Sequence, residues 1–458
     1  MRLPGAFRTS RRAPRAFHLP LTILLPALFI AFSAARAQDW VHIENHNGND
    51  TIRLAAADFK PISSDPQTST LKQTFDTTLI ADLNTAGIFD MVPKSLLPQL
   101  TPGAPAEMNI AQWSATPPNA AMVAFGSFAV SNGQAIVNGW LYDTKNTQYP
   151  QVLGKQYAQP ASAEAVREIA HQFADEIIFR LGGGLPGIAE TKIFYISSHG
   201  GNKEAWMMDY DGQSQHPVTH LGTVTLSPRI SPDGNRLAFS SLGNDGWNIR
   251  IYSMLLGRMV SFPSVGGSNY TPAWSSDGNQ LAFSSSRSGD PEIWVSDASG
   301  GNLRRITSYR GPDISPVWNP RTNSQIAWIS GRTGLPQLYI MDSDGTSVQR
   351  LTDGGYATSP SWSPNGQFIA FAWDRKYGPG LPGGQDIYVM EIATKRWIQL
   401  THGIGRCDFP SWSPDGRHIV FQAGDDKRAE VWTMLVDGTQ KHQLTSGGGN
   451  SMPNWSWR

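Results

Sequence analysis

Two acidic tetrapeptides, Asp209-Tyr210-Asp211-Gly212 and Asp342-Ser343-Asp344-Gly345, carry the alternating carboxylates that open a calcium loop. Such a loop needs a bidentate Glu at its twelfth position, which neither segment supplies, so both read as Asp-Gly hairpin turns. His216 and His220 have the four-residue spacing of a helical metal pair, but Pro217 forbids the helix that would bring them onto one face; they read as surface residues. Gly182-Gly183-Gly184 invites a phosphate-loop reading. It follows a helical segment rather than a strand, and no Lys-Ser/Thr comes after it, so a helix end and hinge is the better account. A Gly-x-Ser-x-Gly nucleophile elbow is absent from the sequence, and the single cysteine, Cys407, rules out an intrachain disulfide. These residues point to no catalytic site, no metal site and no cofactor.

The elements that hold them are set by six tripeptides: Pro228-Arg229-Ile230, Pro272-Ala273-Trp274, Pro316-Val317-Trp318, Pro360-Ser361-Trp362, Pro410-Ser411-Trp412 and Pro453-Asn454-Trp455. Successive prolines lie 44, 44, 44, 50 and 43 residues apart (272−228, 316−272, 360−316, 410−360, 453−410), the length of one four-stranded sheet. After Pro-x-Trp comes a tight turn and a β-branched or aromatic run, as in Ser413-Pro414-Asp415-Gly416 before Ile419-Val420-Phe421. A third run follows (Ile293-Trp294-Val295, Leu338-Tyr339-Ile340), and a fourth closes each unit on Ile306-Thr307, Leu351-Thr352, Leu400-Thr401 or Leu444-Thr445. Four strands repeated six times predict an all-β six-bladed β-propeller over residues 190–458. The first unit, at Ile193-Phe194-Tyr195-Ile196, has no Pro-x-Trp of its own and a spare one stands at Pro453, so the C-terminal strand is expected to close the ring in a 1+3 blade. In a strand the Pro and the Trp point the same way, which makes the indoles wedges between blades rather than ligands.

The positions three before each proline, Thr225, Asn269, Asp313, Ala357, Cys407 and Asn450, are small or polar and differ from blade to blade. They are expected in loops around one channel mouth, where dissimilar polar groups suit recognition of a peptide or protein surface. The alternative is a propeller hydrolase or lyase acting on an envelope glycan or peptide.

Residues 38–185 read as a separate α+β domain. It has a strand at Ile52-Arg53-Leu54-Ala55-Ala56-Ala57, a helix from Leu71 to Ala86, and a hairpin of Met122 to Val130 with Gln134 to Leu141. A further strand at Gln151 to Tyr157 and a helix capped by Ser162 complete it, with the helices on one sheet face. Arginines precede an apolar run from Leu19 to Ser33 that ends at Ala35-Arg36-Ala37, so residues 1–37 read as a cleaved signal peptide rather than a membrane anchor. Lys plus Arg and Asp plus Glu number 37 each, which argues against nucleic acid as a partner. The expected product is a monomer that is not embedded in a membrane.

Ile80-Ala81-Asp82-Leu83-Asn84-Thr85-Ala86-Gly87-Ile88-Phe89, Ala111-Gln112-Trp113-Ser114-Ala115 and repeat units such as Pro410-Ser411-Trp412-Ser413-Pro414-Asp415-Gly416 resemble the TolB family, the periplasmic component of the Tol-Pal system. The resemblance implies a non-enzymatic adaptor in the periplasm that supports outer-membrane integrity and invagination during cell division. It implies that the propeller mouth binds the lipoprotein Pal through Ser268, Asn269, Tyr270, Thr271, Asp313 and Ile314. It further implies that a mobile N-terminal strand, Gln38, Asp39, Trp40, Val41, His42 and Ile43, engages TolA.

Overall fold

The structure, a computed structural model, describes residues 51–374, 384–425 and 427–457. The expected signal peptide, 1–37, and the expected TolA-binding strand, 38–43, lie outside the described residues.

The first part of the chain forms a mixed sheet of β1 (Ile52–Ala56), β2 (Lys60–Pro61), β3 (Phe89–Met91), β4 (Met122–Ser131), β5 (Gln134–Asp143) and β6 (Gln151–Pro160). Its order is β3-β1-β4-β5-β6, with β2 lying along β4. β1 runs parallel to β3 and β4, whereas β4, β5 and β6 are antiparallel. The β4–β5 hairpin turns at Asn132 and Gly133, whose φ angles of 52° and 73° are those an Asn-Gly type I′ turn requires. Helices α1 (Thr68–Thr85) and α3 (Ala163–Leu181) bury Phe75, Leu79, Ile169 and Phe173 against Leu54, Ala124 and Val137 on one face. The Ser162 hydroxyl oxygen caps α3 by accepting the Ala165 N–H at 3.2 Å.

The opposite face is covered as well, which corrects the expectation that all helices share one side. The five-residue α2 (Ile110–Ser114) places Trp113, 1% exposed, against Val123, Phe125 and Tyr142. β1 is apolar at both parities, Leu54 and Ala56 on one side and Ala55 on the other, so both faces need cover.

The described residues between 192 and 455 form six four-stranded sheets, each strand antiparallel to its neighbours. Blades 1 to 5 begin at Thr225, Asn269, Asp313, Tyr356 and Cys407. Blade 6 pairs Asn450–Trp455 with Lys192–Ser197, in the register Asn450↔Ser197 and Trp455↔Ile193, so the last strand closes the ring on the first. The indoles are wedges as expected: Trp274, Trp362 and Trp412 donate Nε1–H to the carbonyls of Arg229, Val317 and Ser361 in the preceding blade, at 3.0, 3.2 and 3.1 Å.

The Thr of each closing pair has a role the repeat pattern alone did not show. In five blades its buried hydroxyl accepts an N–H near the start of the third strand and donates to the side chain of the residue just before it, as in Ile293 N to Thr307 Oγ1 (2.8 Å) and Thr307 Oγ1 to Glu292 Oε2 (2.6 Å). Thr219, Thr352, Thr401 and Thr445 repeat the bridge with Glu204, Gln337, Asp386 and Glu430. It ties the outermost turn of the blade to its third strand.

The expected hinge after α3 is a pinned crossing instead. Gly182 N–H returns to Ile178 O at 2.7 Å to end the helix, and the Asp175 carboxylate accepts the Ala189 and Glu190 N–H groups at 3.0 and 3.2 Å. Ile188 and Ala189 are buried beside Tyr195 and Trp455 of blade 6. Apolar side chains in the connecting segment make it part of a core, which a Gly-rich reading of its start does not reveal.

Candidate functional site

Every innermost strand is interrupted by a bulge at the residue before its proline. Ser227, Thr271, Ser315, Ser359, Phe409 and Met452 sit there with φ between 49° and 54°, a left-handed conformation that costs a side-chain-bearing residue on the order of 1 kcal/mol. Neighbouring blades hold the strain in place. Thr271 N–H donates to Ser240 Oγ at 3.1 Å, Ser315 N–H to Ser284 Oγ at 3.2 Å, and Met452 N–H to Gln422 Oε1 at 3.3 Å. A belt of polar groups therefore runs from blade to blade around the channel.

The bulge changes which residues face outward. Thr225, Asn269, Asp313, Ala357, Cys407 and Asn450 are the first or second residues of the innermost strands, not loop residues, and none is more than 1% exposed. This corrects their expected place on an accessible rim. An extra residue in a strand breaks the two-residue alternation, so positions on either side of it need not share a face. Leu226, Tyr270, Ile314 and Thr358, one place further on, are half-buried instead.

Two of the buried residues serve the wall of the mouth. Asn269 Nδ2 donates to Gly266 O and Gly267 O at 3.3 and 3.2 Å, holding the preceding loop closed. Asp313, expected to pair with a partner, is taken by Arg332 Nη2 at 2.9 Å. That guanidinium lies 4.8, 5.4 and 5.0 Å from the ring centres of Tyr309, Trp328 and Tyr339. The Pro-x-Trp pattern gives no sign of Arg332 or Tyr309, because both lie outside the strand that carries it. Cys407 is sealed, and burial pushes its thiol up to about 12, so it stays protonated.

What remains accessible at this end is a partly aromatic surface. Tyr270 leans on Trp247 with ring centres 5.4 Å apart, and Tyr309, in the loop that leads from blade 2 into blade 3, is 55% exposed. Ser268 and Thr271 are half-buried on either side of the Asn269–Tyr270 pair, and Ser268 N–H is fixed by Ser286 Oγ at 2.9 Å. Aromatic groups on rigid strands with an arginine behind them can bury against a partner at little cost in side-chain freedom.

The opposite end of the propeller meets the first sheet's helices. Asp82 of α1, 2% exposed, accepts from Tyr210 OH at 2.5 Å and lies 2.8 Å from His171 Nδ1 of α3. Burial raises the pKa of Asp82, against His171 and Tyr210, which favour its charge. Arg167 reaches Asp211 at 2.8 Å. The acidic tetrapeptide at 209–212 is a turn, as expected, with Gly212 N–H bonded to Asp209 O, but it is also the docking point of the helices. A second contact joins His418 Nε2 to Thr85 O at the end of α1, 2.8 Å apart, with His418 Nδ1 3.2 Å from Asp415. Burial opposes the charge of Asp415, yet His418 and Arg417 hold its carboxyl well below the usual range. His216 and His220 are exposed, as expected. No cluster of metal-ligating side chains occurs among the described residues.

Residues 180–456 match the family described as TolB beta propeller domain, and residues 41–149 match the TolB amino-terminal domain. A Tol-Pal system protein TolB from Cereibacter sphaeroides is 30% identical over 248 residues, 53% of each chain. One from Mannheimia succiniciproducens is 32% identical over 231 residues, 49% of this chain and 52% of the relative. The chain thus spans about half the length of the curated relatives it matches. The crystal structure of TolB from Acinetobacter baumannii superposes with a TM-score of 0.73 at 24% identity, covering 89% of this chain and 97% of that one, which shows a shared fold.

Proposed function

Because the chain belongs to the TolB family, we propose that it is a non-enzymatic periplasmic adaptor of the Tol-Pal system, binding Pal on the aromatic propeller mouth and TolA through residues 38–43. The observation that carries the first half is the Trp247–Tyr270 pair on a rigid, half-buried surface flanked by Ser268 and Thr271. An adaptor needs two surfaces that bind without chemistry. The mouth offers rings and hydroxyls for this, while two of its acidic groups are already engaged: Asp313 is neutralised by Arg332 and Glu430 is bonded to Thr445, Gly448 and Asn450.

Titration of purified Pal against the chain tests the reading. Tyr270→Ala is expected to weaken binding by about 2 kcal/mol, roughly thirtyfold, because a partly desolvated tyrosine at an interface centre is a frequent hot spot. Unchanged affinity in a variant that melts normally would move the Pal surface away from this mouth.

A further inference from the structure

At the other end of the channel the innermost strands enclose a cavity of about 250 Å³. A six-residue strand such as Asn269–Trp274 separates it from the aromatic mouth by roughly 16 Å. Its walls are the indoles of the repeated tripeptides, and the residue between each Pro and Trp lines it: Arg229, Ala273, Val317, Ser361, Ser411 and Asn454. Arg229 is the only charged residue among them. Its Nη1–H donates to the adjacent Pro228 carbonyl at 2.8 Å, and no carboxylate among the described residues pairs with it. Burial pushes its pKa down to about 10, so the guanidinium is still charged at neutral pH while lacking a counter-ion.

The other polar groups are arranged to give protons. Ser411 Oγ accepts the Trp455 N–H at 3.0 Å and the Asn454 amide at 3.3 Å, and Ser361 Oγ accepts the Trp412 N–H at 3.4 Å, which leaves both hydroxyl protons to be donated. Asn454 Oδ1 already accepts the Ile230 N–H at 2.9 Å, and the carbonyls of Arg229, Val317 and Ser361 are taken by indole N–H groups. One uncompensated cation, two free hydroxyl protons and no carboxylate form the polarity of an anion receptor.

We propose that this cavity binds a small anion, a carboxylate or a phosphate, held by the Arg229 guanidinium with the Ser361 and Ser411 hydroxyls and walled by indoles. The guanidinium fork matches either oxyanion, and the apolar walls favour a carboxylate that carries a hydrophobic body. The site depends on the residue that varies between Pro and Trp, so it belongs to this sequence rather than to the repeat.

The test uses the full mature chain and two probes, inorganic phosphate and N-acetylphenylalanine, titrated at matched ionic strength by calorimetry and by indole fluorescence. Saturable binding of at least one is expected; tighter binding of N-acetylphenylalanine identifies a carboxylate ligand such as a peptide end, and tighter binding of phosphate identifies an inorganic anion or phosphoester. Arg229→Gln should weaken that binding about tenfold or more, Arg229→Lys less, and the surface control Arg258→Ala not at all. If Arg229→Gln melts early, the double variant Ser361→Ala, Ser411→Ala should weaken the same probe several-fold. No saturable binding of either probe, or binding indifferent to Arg229 or to both serines, overturns the proposal.

Discussion

At the scale of single residues, the closing Thr found in five blades is worth more than its place after an apolar residue indicates. Thr307→Val keeps the shape but strips the bond from both Ile293 N–H and the Glu292 carboxylate, each of which is buried. Leaving two buried groups unsatisfied should cost about 1–3 kcal/mol, measured by urea unfolding. Asp175 offers a test in pH. Burial pushes its carboxyl up to about 7, so the folded state binds a proton that the unfolded chain, near the ordinary value of 3.8, has already lost. Its contribution is therefore complete at low pH and lost as pH rises through about 7. Asp175→Asn should flatten the fall in melting temperature between about pH 4 and pH 7 relative to the native chain; an unaltered slope would assign the carboxylate its charged form throughout.

At the scale of elements, the spacing of Pro-x-Trp made the blades, their four strands and the closing strand legible in the sequence. What it could not show was the bulge. Nothing in the types of Ser227, Thr271, Ser315, Ser359, Phe409 and Met452 marks a left-handed backbone, yet that conformation turns Asn269 and Asp313 inward and leaves Tyr270 at the surface. The Asp82–Tyr210 and Thr85–His418 contacts were equally hidden, because each joins residues 128 and 333 positions apart. Closure itself was readable, and it is testable: deleting residues 450–458 removes the strand that pairs with Lys192–Ser197 and exposes its edge. The truncated chain should melt well below the full chain and bind a hydrophobic dye; near-native melting would contradict closure.

At the scale of the whole molecule, the two ends of the channel do different things. One carries the aromatic surface, and the other carries the docked helices and the Arg229 cavity. Removing residues 38–45 should abolish TolA binding while melting temperature and Pal affinity stay nearly unchanged, read in parallel pull-downs and titrations; loss of both partners together would mean one shared surface. The 1+3 blade also sets an order in time. Lys192–Ser197 leads the propeller in sequence, yet its innermost neighbour starts 258 residues later (450−192). A chain emerging amino end first, from a ribosome or through a membrane, holds an open arc with one bare strand edge until residues 450–455 are free. During that interval the unfinished edge is where chaperones or aggregation would act, and the pairing of residues 450–455 with Lys192–Ser197 is the event that ends the exposure.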